Sequence, residues 1–272
     1  MYKEFKIANN PNITSVFTAF IRNIENSFRF NGELHDFWEL VCVTEGKVGV
    51  IAGSKVFSLK PGQAILHSPM QFHRLYNENE TSSTIVVFSF NGTDIPDCSD
   101  RICKINNISE IYEIYELCRK YYHITKEISI AGIKDKNDLN YLKFPKKLEE
   151  LLISLSTNLL EDTQLLSQRA KNFSVIVNTL ENNIEKRLTI CDIATLCNMS
   201  EINVKKTFSK YAGVGIIEYF NRLKVKKAIE MLNTGYSVKE TALFLGFSDQ
   251  NYFSTVFKRI TGNPPSRLAK SD

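Results

Sequence analysis

The chain of 272 residues is long enough for two compact domains, each with a core of its own. A hydrophobic content of 43% with 24% charged residues excludes wholesale disorder, and no apolar run approaches the ~20 residues that span a bilayer. The net charge of +4 is unevenly divided: 15 Lys and Arg stand against 9 Asp and Glu from Lys171 onward, and 19 against 21 before it. The basic C-terminal part is therefore the candidate for a polyanionic partner. The opening segment MYKEFKIANNPNITSVF lacks the zones of a signal peptide, and the six cysteines (Cys42, Cys98, Cys103, Cys118, Cys191 and Cys197) contain no C-x-x-C pair. A cytoplasmic protein with reduced, mostly buried thiols is expected, with no membrane partner.

From about Asn26 to Phe90 the chain predicts strands. FRF, FWELVCVT, KVGVIA, KVFSL, QAILH and STIVVFSF are short, rich in β-branched and aromatic residues, and separated by Asn-Gly, Glu-Gly, Ala-Gly and Pro-Gly. Short strands at this spacing suggest a sandwich or barrel. Helical spacing follows at Ile108, Ile111, Tyr115, Cys118 and Tyr122, and a second helix after Pro145 carries Leu148, Leu152, Leu155 and Leu159 on one stripe. That stripe either pairs with itself in a homodimer or packs on its own β domain. The polar stretch EDTQLLSQRAKN, Glu161 to Asn172, predicts the connection to an all-helical domain. The expected boundaries are 1–105 for the β domain, 106–170 for a helical connector and dimerisation region, and 171–272 for the helical domain.

The helical domain contains a near-repeat. Ile190, Ile193, Ala194 and Cys197 follow helical spacing, and Val238, Thr241, Ala242 and Leu245 repeat the pattern 48 residues later. Each unit runs into a tight break, CNMS or LGFS, whose final Ser200 or Ser248 is expected to cap a further helix. A short helix, a sharp turn and a second helix make a helix-turn-helix. In the second helices Val204, Thr207, Phe208 and Tyr211 match Phe253, Val256, Phe257 and Ile260, now 49 apart, and glycines end both, Gly213 and Gly262. Between the copies, GIIEYFNRLKVKKAIEMLN carries two apolar stripes on opposite faces, so one helix is expected to bridge two separately cored lobes. Its ~18 residues span roughly 27 Å, near the ~34 Å between successive major-groove faces of B-DNA.

A groove-reading helix needs side chains that match base edges. In the second copy the apolar set leaves Gln250, Asn251, Ser254 and Thr255 exposed, with Lys258 and Arg259 further along; in the first it leaves Ile202, Asn203, Lys205 and Lys206. Gln and Asn bond adenine bidentately, Lys reaches guanine, and Ile202 suits a thymine methyl. Arg222, Lys224, Lys226, Lys227 and Lys258 are candidates for phosphate contacts, a plain solvated surface being the equal alternative.

The run from Leu188 to Arg267 resembles the DNA-binding domain of AraC/XylS-family transcription regulators, most specifically in Ala242, Gly246, Phe247, Tyr252, Phe253, Phe257, Lys258, Gly262 and Pro265. The resemblance implies base-reading positions at Ile202, Lys205, Lys206, Gln250, Asn251, Ser254 and Thr255. Promoter DNA is the implied partner, and RNA polymerase is a further candidate.

Two upstream segments, GELHDFWELVCVTEG and LKPGQAILHSPMQFHRL, resemble a cupin barrel of the kind many AraC-family regulators carry as a sensor. Alternation along a strand would put Glu33, His35, Phe37 and Glu39 on one face, converging with His73 and Arg74. Such a set is of the type that holds a divalent metal. However, the cupin metal motif has histidine where Glu33 stands and is one residue longer between Pro69 and His73, so no metal or other cofactor is expected. A small polar effector, sugar-like by the donors and acceptors offered, is the expected ligand. Trp38 has the opposite parity and should pack under the helices, with a stacking role as the secondary reading.

The expected fold is thus α+β and multidomain: a cupin-like β-barrel, a helical connector, and an all-α domain with two helix-turn-helix motifs joined by a linker helix. The expected function is a non-enzymatic, effector-responsive regulator, an activator by family habit. The rivals are a metal-dependent cupin enzyme fused to a DNA-binding module and a ligand-independent regulator with a structural barrel.

Overall fold

A computed structural model describes residues 10–268 except 26, 29, 79–81, 97, 127 and 162–166. Residues 1–9 of the opening segment, Arg29 of FRF and five residues of the expected connection therefore lie outside the described residues. By its internal contacts the chain divides into two compact units, one built from residues up to 165 apart from 31–34 and 53–56, and one from those two segments and residues 166 onward.

The N-terminal part of the chain holds ten strands among the described residues: β1 (Asn12–Ile24), β2 (Trp38–Glu45), β3 (Val48–Ala52), β4 (Lys55–Leu59), β5 (Gln63–His67), β6 (His73–Asn77), β7 (Ser83–Thr93), β8 (Cys103–Lys104), β9 (Tyr122–Thr125) and β10 (Ser129–Ile133). They form a seven-stranded sheet in the order β8-β5-β2-β7-β1-β10-β9 and a three-stranded sheet in the order β4-β3-β6. The expected barrel is thus two sheets around a shared core rather than a closed cylinder.

Period-2 alternation decides which core each residue joins. Val41, Val43, Ile65, Ile85 and Val87 of the large sheet meet Val48, Val50, Phe57, Leu59 and Leu75 of the small one. Their neighbours Leu40, Cys42, Leu66, Val86 and Phe88 point the other way, onto two helices, α1 (Ile108–Tyr121) and α2 (Lys143–Thr157). Leu148, Leu152 and Leu155 are fully buried in that second core. The leucine stripe therefore packs on its own sheet and is unavailable to a partner.

Three sequence expectations shift. Strand structure starts at Asn12 rather than near Asn26, because β1 alternates too weakly to stand out: only Ala19 and Ile24 of its 13 residues are buried. Phe28 and Phe30 are not in a strand. A β9/β10 hairpin separates α1 from α2, and Tyr122, read as the end of a helix, opens its first strand.

The second unit contains α3 (Gln168–Glu181), α4 (Ile190–Leu196), α5 (Glu201–Ala212), α6 (Ile216–Asn233), α7 (Val238–Phe244) and α8 (Gln250–Thr261). Helices α4 and α7 both start with a capping box, Thr189 with Asp192 and Ser237 with Glu240. Both sharp turns then need a left-handed residue, supplied by Asn198 (φ 52) and by Gly246 (φ 67). Gly246 is also sterically required, since a Cβ there would collide with the backbone carbonyl of Glu185. Helices α5 and α8 end on left-handed Gly213 and Gly262.

The linker helix α6 serves both lobes. Tyr219 packs edge-on against Phe208 of α5, which meets Phe173 of α3. Val225, Ala228, Met231 and Leu232 pack with Leu245, Phe247, Phe253, Val256 and Phe257 of the other lobe. All six cysteines are free, and Cys191 is the exposed one. Among the described residues no helix is long and apolar enough to cross a membrane.

Candidate functional site

Two groups of residues stand apart from the cores: the outward faces of α5 and α8, and a buried polar row in the first unit.

On α5, Val204, Thr207, Phe208 and Tyr211 face inward, which turns Ile202, Asn203, Lys205 and Lys206 to solvent. Ile202 is 68% exposed, an apolar side chain that no core residue covers. Asn203 Oδ1 accepts a hydrogen bond from the Thr207 hydroxyl at 3.2 Å, so its amide nitrogen is left facing outward. Lys205 lies 3.5 Å from Glu201, an exposed pairing that water screens and a phosphate or base can displace.

On α8, Phe253, Val256 and Phe257 are buried and Gln250, Asn251, Thr255 and Lys258 are exposed, with Ser254 half-buried. The hydroxyls of Ser254 and Thr255 donate to the carbonyls of Gln250 and Asn251, at 2.8 and 3.0 Å. As placed, these two therefore present acceptor lone pairs and a methyl rather than a donor. Tyr252, absent from the expected reading set, is 51% exposed on this helix. Its helical offset from Phe253 marks that placement.

The capping residue of α8 is Asp249, whose carboxylate accepts from the Tyr252 amide at 2.7 Å; the Ser248 hydroxyl, expected in that role, only donates to Asp249. The phosphate candidates separate as well. Lys224 is 4% exposed, with Nζ donating to the carbonyls of Lys186 and Leu245 at 2.8 and 2.5 Å, and it is unavailable to DNA. Arg222 is half-buried beside Glu218 at 3.5 Å, and the same carboxylate holds Arg259 at 2.7 Å. Lys227 and Lys258 remain at the surface.

In the first unit one residue from each of four adjacent strands falls in line: Thr18 of β1 opposite Ser89 of β7, Ser89 opposite Glu39 of β2, and Glu39 opposite His67 of β5. Ser89 donates to Glu39 at 3.1 Å, so its one proton is used, and in the 2.6 Å contact with Thr18 it is Thr18 that donates. Two further rings complete the site. His73 Nε2 lies 3.3 Å from Glu39 Oε1, and His35 Nε2 lies 3.7 Å from Glu39 Oε2. One ligand atom from each of His35, Glu39 and His73 lies within 4.8 Å of the others.

The expected convergence is thus present, but by a different route. β2 begins only at Trp38, so strand alternation does not carry Glu33, His35 and Phe37 inward. A loop does, held where the Phe37 ring stacks on His35 at 3.7 Å and on Phe17 at 4.5 Å. Trp38 packs toward α1 and α2. Arg74 donates to the Phe30 carbonyl at 2.7 Å.

His67 and its partners were not among the expected site residues. Its ring stacks on His73 at 4.3 Å, and Nδ1 lies 3.2 Å from Gln71 Oε1, whose amide nitrogen in turn donates to Asp100. Burial, with the field of His73, pushes His67 down to about 3, so this ring is neutral at physiological pH, and its Nε2 is buried without a hydrogen bond. Burial raises the Glu39 carboxyl, but the contacts with His35 and His73 outweigh it and hold the group well below the usual carboxylate range. A buried anion ringed by imidazoles is the result.

Comparison with known proteins follows the same division. Residues 18–107 match the model of the AraC-like ligand binding domain, and residues 193–271 match that of a helix-turn-helix domain. The chain belongs to the AraC family. Among curated relatives of this AraC-family chain, the bifunctional transcriptional activator/DNA repair enzyme AdaA of Bacillus subtilis is 29% identical over 95 residues, 35% of this chain and 45% of AdaA. The transcriptional regulatory protein HptR of Staphylococcus aureus is 28% identical over 95 residues, covering 35% and 38%. The matched region thus spans less than half the length of these relatives. Among solved structures, fatty acid-bound ToxT from Vibrio cholerae aligns with 96% of this chain and 99% of its own at 15% identity and a TM-score of 0.37.

Proposed function

We propose that the chain is a sequence-specific, effector-responsive regulator of transcription that acts in the cytoplasm on double-stranded promoter DNA. The observation that carries this reading is the duplicated helix-turn-helix. Two helices of 12 residues each turn a polar and basic face outward, and one continuous 18-residue helix joins their cores. In this reading Lys205 and Lys206 read guanine edges, Gln250 and Asn251 read adenine edges, and Ile202 meets a thymine methyl. Asn203 donates to base or phosphate, Ser254 and Thr255 present acceptors, and Lys258 contacts a phosphate. Arg222 acts through Glu218, which it helps hold against Arg259 of α8.

The effector in this reading is a small polar molecule, sugar-like, held by Glu33, His35, Glu39, His73 and Arg74, with Phe37 as its apolar wall. Trp38 supports that wall from the helix side. The chain catalyses no reaction. It activates transcription as a homodimer that contacts RNA polymerase, and the dimer uses surfaces other than the leucine stripe of α2.

Binding of DNA sites selected from a random pool tests the DNA half. Lys205→Ala and Gln250→Ala should each weaken specific binding by about 1–3 kcal/mol. Unchanged affinity and footprints at matched salt for both variants overturn the assignment of reading faces. For the sensor half, a panel of sugars should contain members that shift both melting temperature and DNA affinity. A panel that shifts neither removes the effector class.

A further inference from the structure

Within the second unit a cleft of about 560 Å3 opens between the middle of α6, the segment leading into α4 and the turn that precedes α8. That volume lies in the range of pockets that hold small organic molecules. None of the base-reading residues assigned above lines it.

The charge in this cleft is one-sided. Lys224 stands innermost at 4% exposure, and Arg187 stands at the exposed rim. The one acid among the lining residues, Asp249, is engaged: its carboxylate accepts from the Tyr252 amide at 2.7 Å and from the Ser248 hydroxyl at 3.2 Å. Thr189 is likewise taken up by the capping box of α4. Two protons of the Lys224 ammonium go to the carbonyls of Lys186 and Leu245. Burial outweighs the pull of Glu185 and takes the group down to about 8. A buried cation whose neighbours are carbonyls and ring faces is short of an anion.

The walls are aromatic and aliphatic. Tyr252 and Ile217 are 51% and 40% exposed, so no core residue covers them. The Tyr252 ring lies 5.9 Å from that of Phe247, and Lys224 Nζ lies 5.2 Å from the Phe247 ring and 4.6 Å from that of Phe220. An aromatic path thus leads from the surface to the ammonium.

We propose that this cleft binds an aromatic carboxylate, with its ring against Tyr252, Phe247 and Ile217 and its carboxylate on the third proton of Lys224. Rings pack offset or edge-on against aromatic neighbours, and a charge-assisted hydrogen bond to a buried ammonium is stronger than one at the surface. The site lies wholly in the second unit and rests on no role assigned to the polar row around Glu39. Since Ser248, Asp249 and Tyr252 form the entry to α8, the bound acid would sit beside a reading helix without occupying its reading face.

Calorimetric titration of the full chain with phenylacetate, indole-3-acetate and 2-naphthoate tests the site, with indole-3-acetamide as the neutral control. At least one acid should bind one to one, and the amide should bind at least about tenfold more weakly than its acid. Affinity should be level below pH 8 and fall above it, because the acid needs the ammonium and the empty site loses that proton near 8. Glu185, Lys186, Arg187, Asp249 and Tyr252 are the other ionisable groups around the cleft, so Lys224→Met is the control that should flatten the profile. Ile217→Glu changes an exposed residue, leaves both lobe cores intact and should weaken binding at least about tenfold by repelling the carboxylate, so the test stands even if Lys224→Met fails to fold. No saturable binding of any of the three acids at millimolar concentration overturns the proposal. So does binding that Ile217→Glu leaves unchanged, which places the acid elsewhere on the chain. Inorganic phosphate binding as tightly as the acids would also overturn it, by making the cleft a contact for the DNA backbone.

Discussion

Asp249 and Ser248 show how one residue of offset changes a role. The first helices of the two copies repeat at 48 residues and the second helices at 49, so the equivalent of the Ser200 cap is Asp249, not Ser248. The offset was available in the sequence; the cap follows once it is applied to the turn itself. Asp249→Ala should therefore cost about 1 kcal/mol of stability and Ser248→Ala much less, as read from denaturant midpoints. Equal losses would mean that Ser248 contributes to the cap after all.

Lys224 carries a second argument at this scale, because composition alone puts a lysine at the surface. Its ammonium sits over the Phe220 and Phe247 rings at 4.6 and 5.2 Å while bonding the carbonyls of Lys186 and Leu245. Burial pushes it down to about 8, against a smaller upward pull from Glu185. Between that value and the ordinary lysine value of 10.5 the unfolded chain holds a proton the folded chain has lost. Stability attributable to this residue should then rise with pH from about 8 to 10.5 and stay flat below 8. Comparing the pH dependence of melting for the wild type and Lys224→Met isolates that contribution; parallel curves would mean that Lys224 titrates as an exposed lysine does.

Among the elements, those with strong periodicity were readable from the sequence and those without were not. The two helix-turn-helix units, the linker with its double stripe and strands β2, β3, β4, β5 and β7 all combine pattern with punctuation. β1 lacks that pattern because its length runs along the sheet with few buried side chains. The β9/β10 hairpin was hidden because Tyr122, which opens it, also continues the helical spacing of Tyr115 and Cys118. The candidate site was half readable for a related reason. His35, Glu39 and His73 stand out as ionisable residues among apolar ones, whereas the Thr18, Ser89, Glu39, His67 row exists only through pairing across four strands. Pairing register is a long-range property that no local window contains.

The leucine stripe of α2 was ambiguous for the opposite reason: a stripe reports burial but not the covering surface. Because Leu152 packs fully within its own unit, Leu152→Ala should destabilise the chain by about 2–5 kcal/mol. Size-exclusion chromatography with light scattering should find the oligomeric state of the folded variant unchanged. A variant that stays stable but dissociates would place the stripe in an interface.

At the scale of the whole helical unit, spacing becomes a property that DNA can test. Helix α6 is continuous over 18 residues, with one end cored by α3 and α5 and the other by α7 and α8. Such a helix is about 27 Å long and does not stretch, so the separation of the two reading faces is set by the chain and not by the DNA. Inserting five base pairs between the two contacted segments moves one of them half a helical turn away. In the proposed mode of binding the second lobe then loses its base contacts, and specific affinity should fall at least about tenfold, toward that of a site with one segment scrambled. A ten-base-pair insertion restores the face but lengthens the separation by about 34 Å, beyond what a rigid 27 Å helix bridges, so it should not recover the loss. Full recovery at ten base pairs would show that the lobes move apart on DNA, and the rigid linker would have to be abandoned.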